Sequence, residues 1–260
     1  MNQILKNTCK YVVYSHTDYL DVLTIQTKAL PYTDKVLLIN KNNKDLNHLY
    51  GKYTQVIFYD DSLPYASRLL SLECLSAEYI LFIHDIDIVV KKNDVHIDLI
   101  QKYMSTHSID RVDLQCRPNW DFSNKDKLTV ELGDYKIELC EQKNINNYIY
   151  NVNPSIWKLN VLLDIMNRFK HETYRTIEND SVMKYCLKYK IYKLYSNNPI
   201  KCGWFSCLPF FQFIHITHKG KLLPPLNNRL ESHLISEYNK IIEMLMANNT
   251  SRKFFEGNVR

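Results

Sequence analysis

Residues 79–90, which read YILFIHDIDIVV, constrain the fold of this chain more than any other stretch. Five apolar or aromatic residues run without a break from 79 to 83, which is typical of a strand buried on both faces of a mainly parallel sheet. Asp85 and Asp87 follow where that strand should end. In open α/β sheets the ligand crevice lies at the carboxyl ends of the strands. The stretch therefore predicts an α/β fold with two carboxylates in its ligand crevice.

Two carboxylates placed side by side stay charged at low cost only when a positive charge lies between them. A divalent cation is the usual partner, and Mg²⁺ and Mn²⁺ prefer oxygen ligands. Asp85 and Asp87 are therefore candidate metal ligands. A surface turn with two solvated acids is the alternative, because Asp-x-Asp is common by chance.

Apolar strands and helical segments alternate before this stretch. Strands are predicted over residues 10–14, 35–39 and 55–59, and helices over residues 22–30 and around the leucines at 69, 70, 72 and 75. This alternation is the pattern of an α/β sheet with crossover connections. Further along the chain, a helix is predicted over residues 94–104, strands over 111–116 and 191–195, and a hairpin within 128–139.

The strand followed by Asp-x-Asp resembles the metal-binding motif of the GT-A type glycosyltransferases, most closely over residues 59–90. The resemblance implies a Rossmann-like, mainly parallel sheet flanked by helices, with a small antiparallel part on the acceptor side. It implies one catalytic domain over residues 1–225, with the nucleotide-binding half at about 1–120 and the acceptor half at about 121–225. An amphipathic helix and a basic tail would follow over residues 226–260; we expect the helix to pack on the domain or on a second subunit, and the tail to be frayed.

In such a domain Asp87, together with Asp85, would hold Mn²⁺ or Mg²⁺ against the diphosphate of a nucleotide sugar. Related sequences often carry His-Glu-Asp where this chain has His84-Asp85-Ile86-Asp87. Direct metal contact, contact through water and ribose binding therefore all stay open for Asp85. His215 is the candidate for a third metal ligand, since His218 would point to the opposite face of a strand.

The resemblance also implies residues that contact the rest of the donor. Asp60 or Asp61 would meet the nucleoside, and Trp157 would line the sugar site unless it is a core aromatic. We expect a helix capped by Ser155 and running to about Arg168 beside it. The remaining donor-site candidates are polar or basic: Ser15, Arg68, Arg117, Lys219 and Lys221. Ordinary surface pairing is the alternative for the two arginines.

Glu178 and Asp180 lie just before a helix predicted over residues 181–189. Acids at a helix N-terminus are stabilised by the helix dipole, so capping is one interpretation. Inverting GT-A enzymes place a carboxylate at such a position as the general base for the acceptor hydroxyl. The resemblance therefore implies Glu178, or its neighbour Asp180, as the catalytic base.

The composition limits the partners of the chain. The net charge of +5 suits an anionic nucleotide diphosphate, but it is not the concentrated basic patch of a nucleic-acid binder. With only 5 glycines, the chain has no phosphate-binding Gly-x-x-x-x-Gly-Lys loop and no Gly-x-Gly-x-x-Gly fingerprint. No apolar run approaches the roughly 18 residues of a membrane span. We expect a cytoplasmic protein with reduced cysteines, of which Cys202 and Cys207 are closest in sequence.

These observations favour a metal-dependent, inverting glycosyltransferase that uses a nucleotide-diphosphate sugar, such as a UDP sugar, and a glycan, protein or small-molecule hydroxyl acceptor. One alternative is a haloacid-dehalogenase-like phosphatase with Asp85 as its nucleophile, although such proteins usually have glycine after the second aspartate. The other is a non-catalytic GT-A domain that binds sugar or protein. Whether the C-terminal helix forms a homodimer stays open.

Overall fold

A computed structural model describes residues 9–30, 34–41, 46–49, 51–117, 127–132, 135–143, 149–195, 199–202, 206–225, 230–248 and 250–256. The side chain of Arg117 and the turn at Gly133 lie outside the described residues. The described helices are α1 (Leu20–Ala29), α2 (Tyr65–Leu69), α3 (Asp94–His107), α4 (Leu159–Arg168), α5 (Asp180–Cys186) and α6 (Ser232–Ala247), with 3₁₀ helices at Thr17–Tyr19 and Leu70–Cys74.

The described strands, in chain order, are β1 (Lys10–Ser15), β2 (Lys35–Asn40), β3 (Gln55–Tyr59), β4 (Tyr79–His84), β5 (Asp87–Lys92), β6 (Arg111–Arg117), β7 (Lys127–Leu132), β8 (Tyr135–Glu141), β9 (Ser155–Lys158), β10 (Ile191–Tyr195), β11 (Ile200–Lys201), β12 (Ser206–Cys207), β13 (Phe211–His215), β14 (Thr217–His218) and β15 (Lys221–Leu222).

Eleven of the described strands form one mixed sheet, whose main path runs β3-β2-β1-β4-β9-β6-β10-β8-β7. The first four strands of this path are mutually parallel, and β10 is parallel to β6. Strand β9 runs antiparallel between β4 and β6, and β8 and β7 extend the sheet as an antiparallel hairpin. The predicted α/β class, mainly parallel with a small antiparallel part, is confirmed.

Strand β4 divides the core into two clusters, because its side chains alternate between the two faces of the sheet. Tyr79, Leu81 and Ile83 join a cluster with buried residues of α1, α3 and α6. Ile80 and Phe82 join a second cluster with residues of α2, α4 and α5. Helices therefore cover both faces, and the carboxyl ends of β1, β2, β3 and β4 meet at one edge of the sheet.

Two expected elements differ in the structure. Residues 79–90 contain two strands, because β4 ends at His84, Asp85 and Ile86 form a turn, and Asp87 begins β5. The helix predicted from Ser155 begins only at Leu159, and Ser155 itself lies in β9. Strand pairing wins there because the Ser155 hydroxyl accepts a hydrogen bond from buried Arg111 at 2.8 Å, while Ile156 and Trp157 bury their side chains on opposite faces.

The C-terminal helix packs on the first core cluster through Leu234, Tyr238, Ile241 and Leu245. The expectation of a frayed tail is wrong for residues 250–256, which lie against this domain: the Leu222 amide donates to the Lys253 carbonyl and the Phe255 amide to the Leu222 carbonyl, at 2.9 and 2.8 Å. Residues 257–260 lie outside the described part. The division at residue 225 stays a prediction.

Cys202 and Cys207 are joined by a disulfide, so the expectation of reduced thiols is wrong for this pair. Strands β11 and β12 pair in antiparallel fashion and bring the two Cα atoms to 6.1 Å. Cys9 and Cys186 are buried thiols, as expected. No helix among the described residues is long and apolar enough to cross a membrane.

Candidate functional site

Asp85 lies in the turn after β4 and is held from the end of β1. The Ser15 hydroxyl donates to Asp85 Oδ2 at 2.5 Å, and the Asp85 amide donates to the Tyr14 carbonyl at 3.0 Å. Burial raises the pKa of the Asp85 carboxyl to about 7, and the Ser15 hydrogen bond and the charge of Arg252 oppose that rise. Two sequence-predicted donor-site residues, Ser15 and Asp85, are thus in direct contact.

Asp87 meets His215 across the β5–β13 strand pair. The two residues are in register, and His215 Nδ1 lies 2.8 Å from Asp87 Oδ1. Buried Gln26 of α1 fixes the start of β5, because its amide nitrogen donates to the Asp87 carbonyl at 2.8 Å and its oxygen accepts from the Val89 amide at 3.0 Å. His218 instead packs edge-on against Phe255, at 5.3 Å between ring centroids.

Asp87 and His215 are side chains of the types that bind divalent cations, and they lie in contact with each other. Within the described ranges, no group of three or more His, Cys, Asp or Glu side chains is placed to hold a metal ion. Mg²⁺ and the similar Mn²⁺ are commonly bound through one or two carboxylates together with the phosphates of a substrate. A carboxylate and an imidazole at the ligand edge of the sheet fit that mode of binding, with the remaining ligands supplied by the bound molecule.

The expected nucleoside-binding acids lie exposed after β3. Asp60 accepts hydrogen bonds from the amide and the hydroxyl of Ser62, at 2.9 and 2.7 Å. Asp61 pairs with Arg68 at 2.9 Å and with His16 Nε2 at 2.9 Å. Arg68 is therefore engaged in an ordinary ion pair, the alternative that the sequence left open for it. Asp60 and Asp61 nevertheless lie at the same edge of the sheet as Ser15 and Asp85.

A hydrogen-bonded chain links the acidic turn to Glu178. His84 Nδ1 lies 3.0 Å from the Val152 carbonyl oxygen. Because a carbonyl oxygen can only accept a hydrogen bond, Nδ1 carries the proton of the neutral ring. The other ring nitrogen, Nε2, therefore accepts a hydrogen bond from the Tyr65 hydroxyl, also at 3.0 Å. The Val152 amide donates to Glu178 Oε1 at 2.8 Å. Burial lowers the pKa of His84 to about 4, so the ring is neutral near pH 7.

Glu178 and Asp180 have different surroundings. Glu178 is half-buried, and burial raises the pKa of its carboxyl while the Val152 amide opposes the rise. Asp180 is exposed in the first turn of α5, whose N-cap is Asn179, with its side chain accepting from the Val182 amide at 3.0 Å. Capping is thus performed by Asn179, and Glu178 is the acid that faces the residues of the candidate site.

Tyr174 was not identified from the sequence. It is 44% exposed, and desolvation together with the charges of Asp87, Glu178 and Asp85 raises its pKa. Its ring packs edge-on against His84, at 5.5 Å between centroids. An aromatic residue in a polar segment carries no periodic signal, so only the fold places Tyr174 between the acidic turn and Glu178.

The remaining candidates separate into core and surface. Trp157 is 1% exposed and lies in the second core cluster, with the Arg111 guanidinium 4.5 Å from its ring centroid. Trp157 therefore lies where a core aromatic would lie, which is the alternative that the sequence left open for it. Lys219 and Lys221 are exposed at the turn between β14 and β15, where Lys219 and Gly220 both have positive φ, a conformation that glycine adopts without strain.

A scan against protein-family models finds no match, and neither does a search of curated proteins. Among solved structures, residues 1–349 of S. aureus TarS in complex with UDP-GlcNAc match 95% of this chain and 68% of that chain, with a TM-score of 0.49 and 13% identity. The match to a longer S. aureus TarS structure covers 44% of that chain.

A cytidylyltransferase from Leptospira borgpetersenii serovar Hardjo-bovis matches with a TM-score of 0.45 and 11% identity, over 96% of this chain and 99% of that chain. UDP-glucose pyrophosphorylase complexed with UDP-glucose matches with a TM-score of 0.39 and 7% identity, over 94% and 100%. The fold of this chain is a mixed α/β fold, as its own strand pairing shows. At such identities and TM-scores the activity has to follow from the site residues.

Proposed function

We propose that this chain is a metal-dependent glycosyltransferase that moves a sugar from a nucleotide-diphosphate sugar to a hydroxyl acceptor, with inversion at the anomeric carbon. The observation that carries the proposal is the contact between Asp87 and His215, 2.8 Å apart at the start of β5 and the end of β13, next to the turn that holds Asp85. Two side chains of the types that bind metal ions come from distant parts of the chain and meet where an α/β sheet usually binds its ligand.

Asp87 and His215 would hold Mn²⁺ or Mg²⁺, which supplies charge neutralisation at the leaving diphosphate. Asp85, held by Ser15, would orient the donor through its ribose or through water. Asp60 or Asp61 would contact the nucleoside, and Lys219 and Lys221 would add positive charge near the phosphates. These residues bind and orient the donor, so that its anomeric carbon is open to attack from the acceptor side.

Glu178 would take the proton from the acceptor hydroxyl as that oxygen attacks the anomeric carbon. The C–O bond to the diphosphate breaks on the opposite face, and the diphosphate leaves with the electron pair. Burial of Glu178 favours this role, because a raised pKa makes a carboxylate a stronger base once it is ionised. Asp180 is exposed to water and does not share the half-buried position of Glu178.

The alternatives have less support. A phosphatase with Asp85 as nucleophile usually has glycine after the second aspartate, where this chain has Ile88, and the Asp85 carboxylate already accepts a hydrogen bond from Ser15. A nucleotidyltransferase would be expected to follow β1 with a glycine-rich loop, where this chain has Ser15-His16-Thr17. A non-catalytic sugar- or protein-binding domain needs neither the Asp87–His215 pair nor a buried acid.

A thermal-shift screen of nucleotide sugars, beginning with UDP sugars, with and without Mn²⁺ tests the proposal. A ligand at about 100 times its Kd stabilises a protein by about 2.7 kcal/mol, which is readily measured. We expect a shift for at least one nucleotide sugar that requires Mn²⁺ and is lost in Asp87→Ala, together with Mn²⁺-dependent slow hydrolysis of that donor. A shift with phosphate mimics and Mg²⁺ alone would favour the phosphatase, and binding without turnover the non-catalytic domain.

A further inference from the structure

Two separate segments hold the two acids of the candidate site. Asp85 is held by Ser15 at the end of β1, and the chain continues from there into the 3₁₀ helix Thr17–Tyr19 and α1. Asp87 is paired with His215 at the end of β13, and the chain continues from there into the β14–β15 hairpin. Strand β1 pairs with β2 and β4, whereas β13 pairs with β5. Among the described strands, no ladder joins these two segments directly.

Arg252, in the C-terminal segment, bridges the two segments. Its Nε and Nη2 donate to both carboxylate oxygens of Asp21 in α1, at 2.7 and 2.9 Å. Its Nη2 also donates to the Asp18 carbonyl at 2.5 Å, and its Nη1 donates to the Gly220 carbonyl of the hairpin turn at 3.0 Å. The guanidinium carbon lies 4.3 Å from the centroid of the Tyr19 ring. One side chain thus contacts both segments at once.

The arrangement suits arginine and no other residue. The planar guanidinium presents several donors in a fixed fork, so it can bind a carboxylate with two hydrogen bonds and still reach carbonyls on either side. The Arg252 side chain is 10% exposed and its partner Asp21 19%, so water screens the pair only weakly. The Thr250 hydroxyl also donates to Asp21 Oδ2, at 2.7 Å.

The same residues line a cleft of about 510 Å³, whose walls include Thr17, Asp21, Gly220 and Arg252. One wall belongs to the segment after β1 and the other to the β14–β15 hairpin. Because Arg252 spans from one wall to the other, it sets the separation between them.

We propose that Arg252 is a positioning residue, which fixes the segment behind Asp85 relative to the segment behind Asp87 and so sets the affinity of the site for its donor. The proposal rests on the proposed function, because it takes the site to bind a nucleotide-diphosphate sugar. The Arg252 guanidinium donates to Asp21, Asp18 and Gly220 within the protein, so we place its role in holding the two segments and not in contact with the reacting atoms. Its loss should raise the KM for the donor much more than it lowers kcat.

The test compares Arg252→Ala, Arg252→Lys and Asp21→Asn with the surface control Lys240→Ala, whose side chain is 62% exposed and pairs with Glu237. We expect the donor KM to rise at least tenfold in Arg252→Ala while kcat changes by less than about threefold, the pattern of lost uniform binding. Arg252→Lys should be intermediate, since lysine keeps the charge but not the fork. The double variant of Arg252→Ala and Asp21→Asn should be no worse than Arg252→Ala, because both remove the same interaction.

Hydrogen exchange separates this proposal from the proposed function. In Arg252→Ala, amides in residues 17–21 and 217–222 should both exchange faster, whereas Lys240→Ala should leave them unchanged. If the wild type turns over no nucleotide sugar, the proposed function fails and the exchange measurement alone decides whether Arg252 joins the segments. A wild-type-like KM in a folded Arg252→Ala, or unchanged exchange in either segment, would overturn the proposal; if that variant does not fold, Arg252→Lys and Asp21→Asn take its place.

Discussion

The backbone of Val152 connects His84 to Glu178. His84 donates from Nδ1 to the Val152 carbonyl, and the Val152 amide donates to Glu178 Oε1, at 3.0 and 2.8 Å. His84 directly precedes Asp85 and is 4% exposed. The proposed base and the residue that precedes the acidic turn are therefore both held by the backbone of one residue.

His84 should make the stability of the protein depend on pH. Burial lowers its pKa to about 4, below the ordinary value of 6.5. Between these values the unfolded chain binds a proton that the folded protein does not, so the free energy of unfolding decreases as the pH falls from 6.5 towards 4. Urea unfolding across this range should show the decrease in the wild type, and His84→Phe should lack this component. A difference between the two proteins that does not change with pH would contradict the assignment of a neutral, buried His84.

Glu178→Gln should lower turnover by about 10² to 10⁴-fold, the usual contribution of a general base. Asp180→Asn is the matched control at the adjacent helix start and should cost less than tenfold. Because burial raises the pKa of Glu178 above its ordinary value, the wild-type rate should fall on the acid side as this carboxylate becomes protonated. That acid limb should be absent in Glu178→Gln. Equal losses in the two variants, or a retained acid limb, would exclude Glu178 as the base.

Asp87→Asn and His215→Gln should each abolish the Mn²⁺-dependent part of donor binding, because each removes one of two protein ligands. His218→Gln is the matched control, because His218 lies three residues from His215 but packs on Phe255. This variant should retain the Mn²⁺-dependent part of donor binding. Calorimetric titration of the nucleotide sugar with Mn²⁺, and again after chelation with EDTA, measures the effect. If His218→Gln and His215→Gln lose affinity alike, the pairing of Asp87 with His215 is not the basis of metal binding.

Arg111→Met should be among the most destabilising single changes. The Arg111 side chain is fully buried on β6 and donates to the carbonyls of Ile149 and Asn151, at 2.7 and 3.1 Å, and its partner Asp113 is also fully buried. Removing one member of a buried charge pair costs about 3–5 kcal/mol, because the other is left uncompensated.

Urea unfolding measures this loss. The double variant of Arg111→Met and Asp113→Leu should be less destabilised than the sum of the single variants, since it leaves no lone buried charge. A strictly additive double variant would show that the two side chains do not compensate each other.

The sequence was most informative where a short segment determines its own structure. Strand β3, at an edge of the sheet, has the predicted bounds, and β1, β2 and β4 differ from theirs by one residue, because each is a short run rich in β-branched, aliphatic and aromatic residues. Strand β9 was mistaken for a helix, because the same apolar residues satisfy both periodicities over four positions. The antiparallel pairing with β4 and β6, which decides the outcome, is a tertiary effect.

The residues of the candidate site also divide into those that local sequence pattern predicts and those that it does not. Asp85, Asp87 and Glu178 stand in short acidic motifs, and Ser15 follows a clear strand, so they could be proposed from local pattern. His84, Tyr174 and Arg252 could not, because their roles arise from contacts with residues far away in the sequence. Arg252 lies 231 residues from its partner Asp21, in a segment whose basic composition predicted only a solvated tail.

The Asp87–His215 contact closes a loop of 128 residues. Such non-local contacts form late in folding, because the entropy of loop closure has to be overcome first. A growing chain emerging from the ribosome can pair β1, β2, β3 and β4 well before β13 is synthesised, but it then carries Asp87 without its histidine. Synthesis and site assembly are therefore ordered: strands β1, β2, β3 and β4 are free to pair early, and the site that we propose for metal and donor is assembled only after β13 has been synthesised.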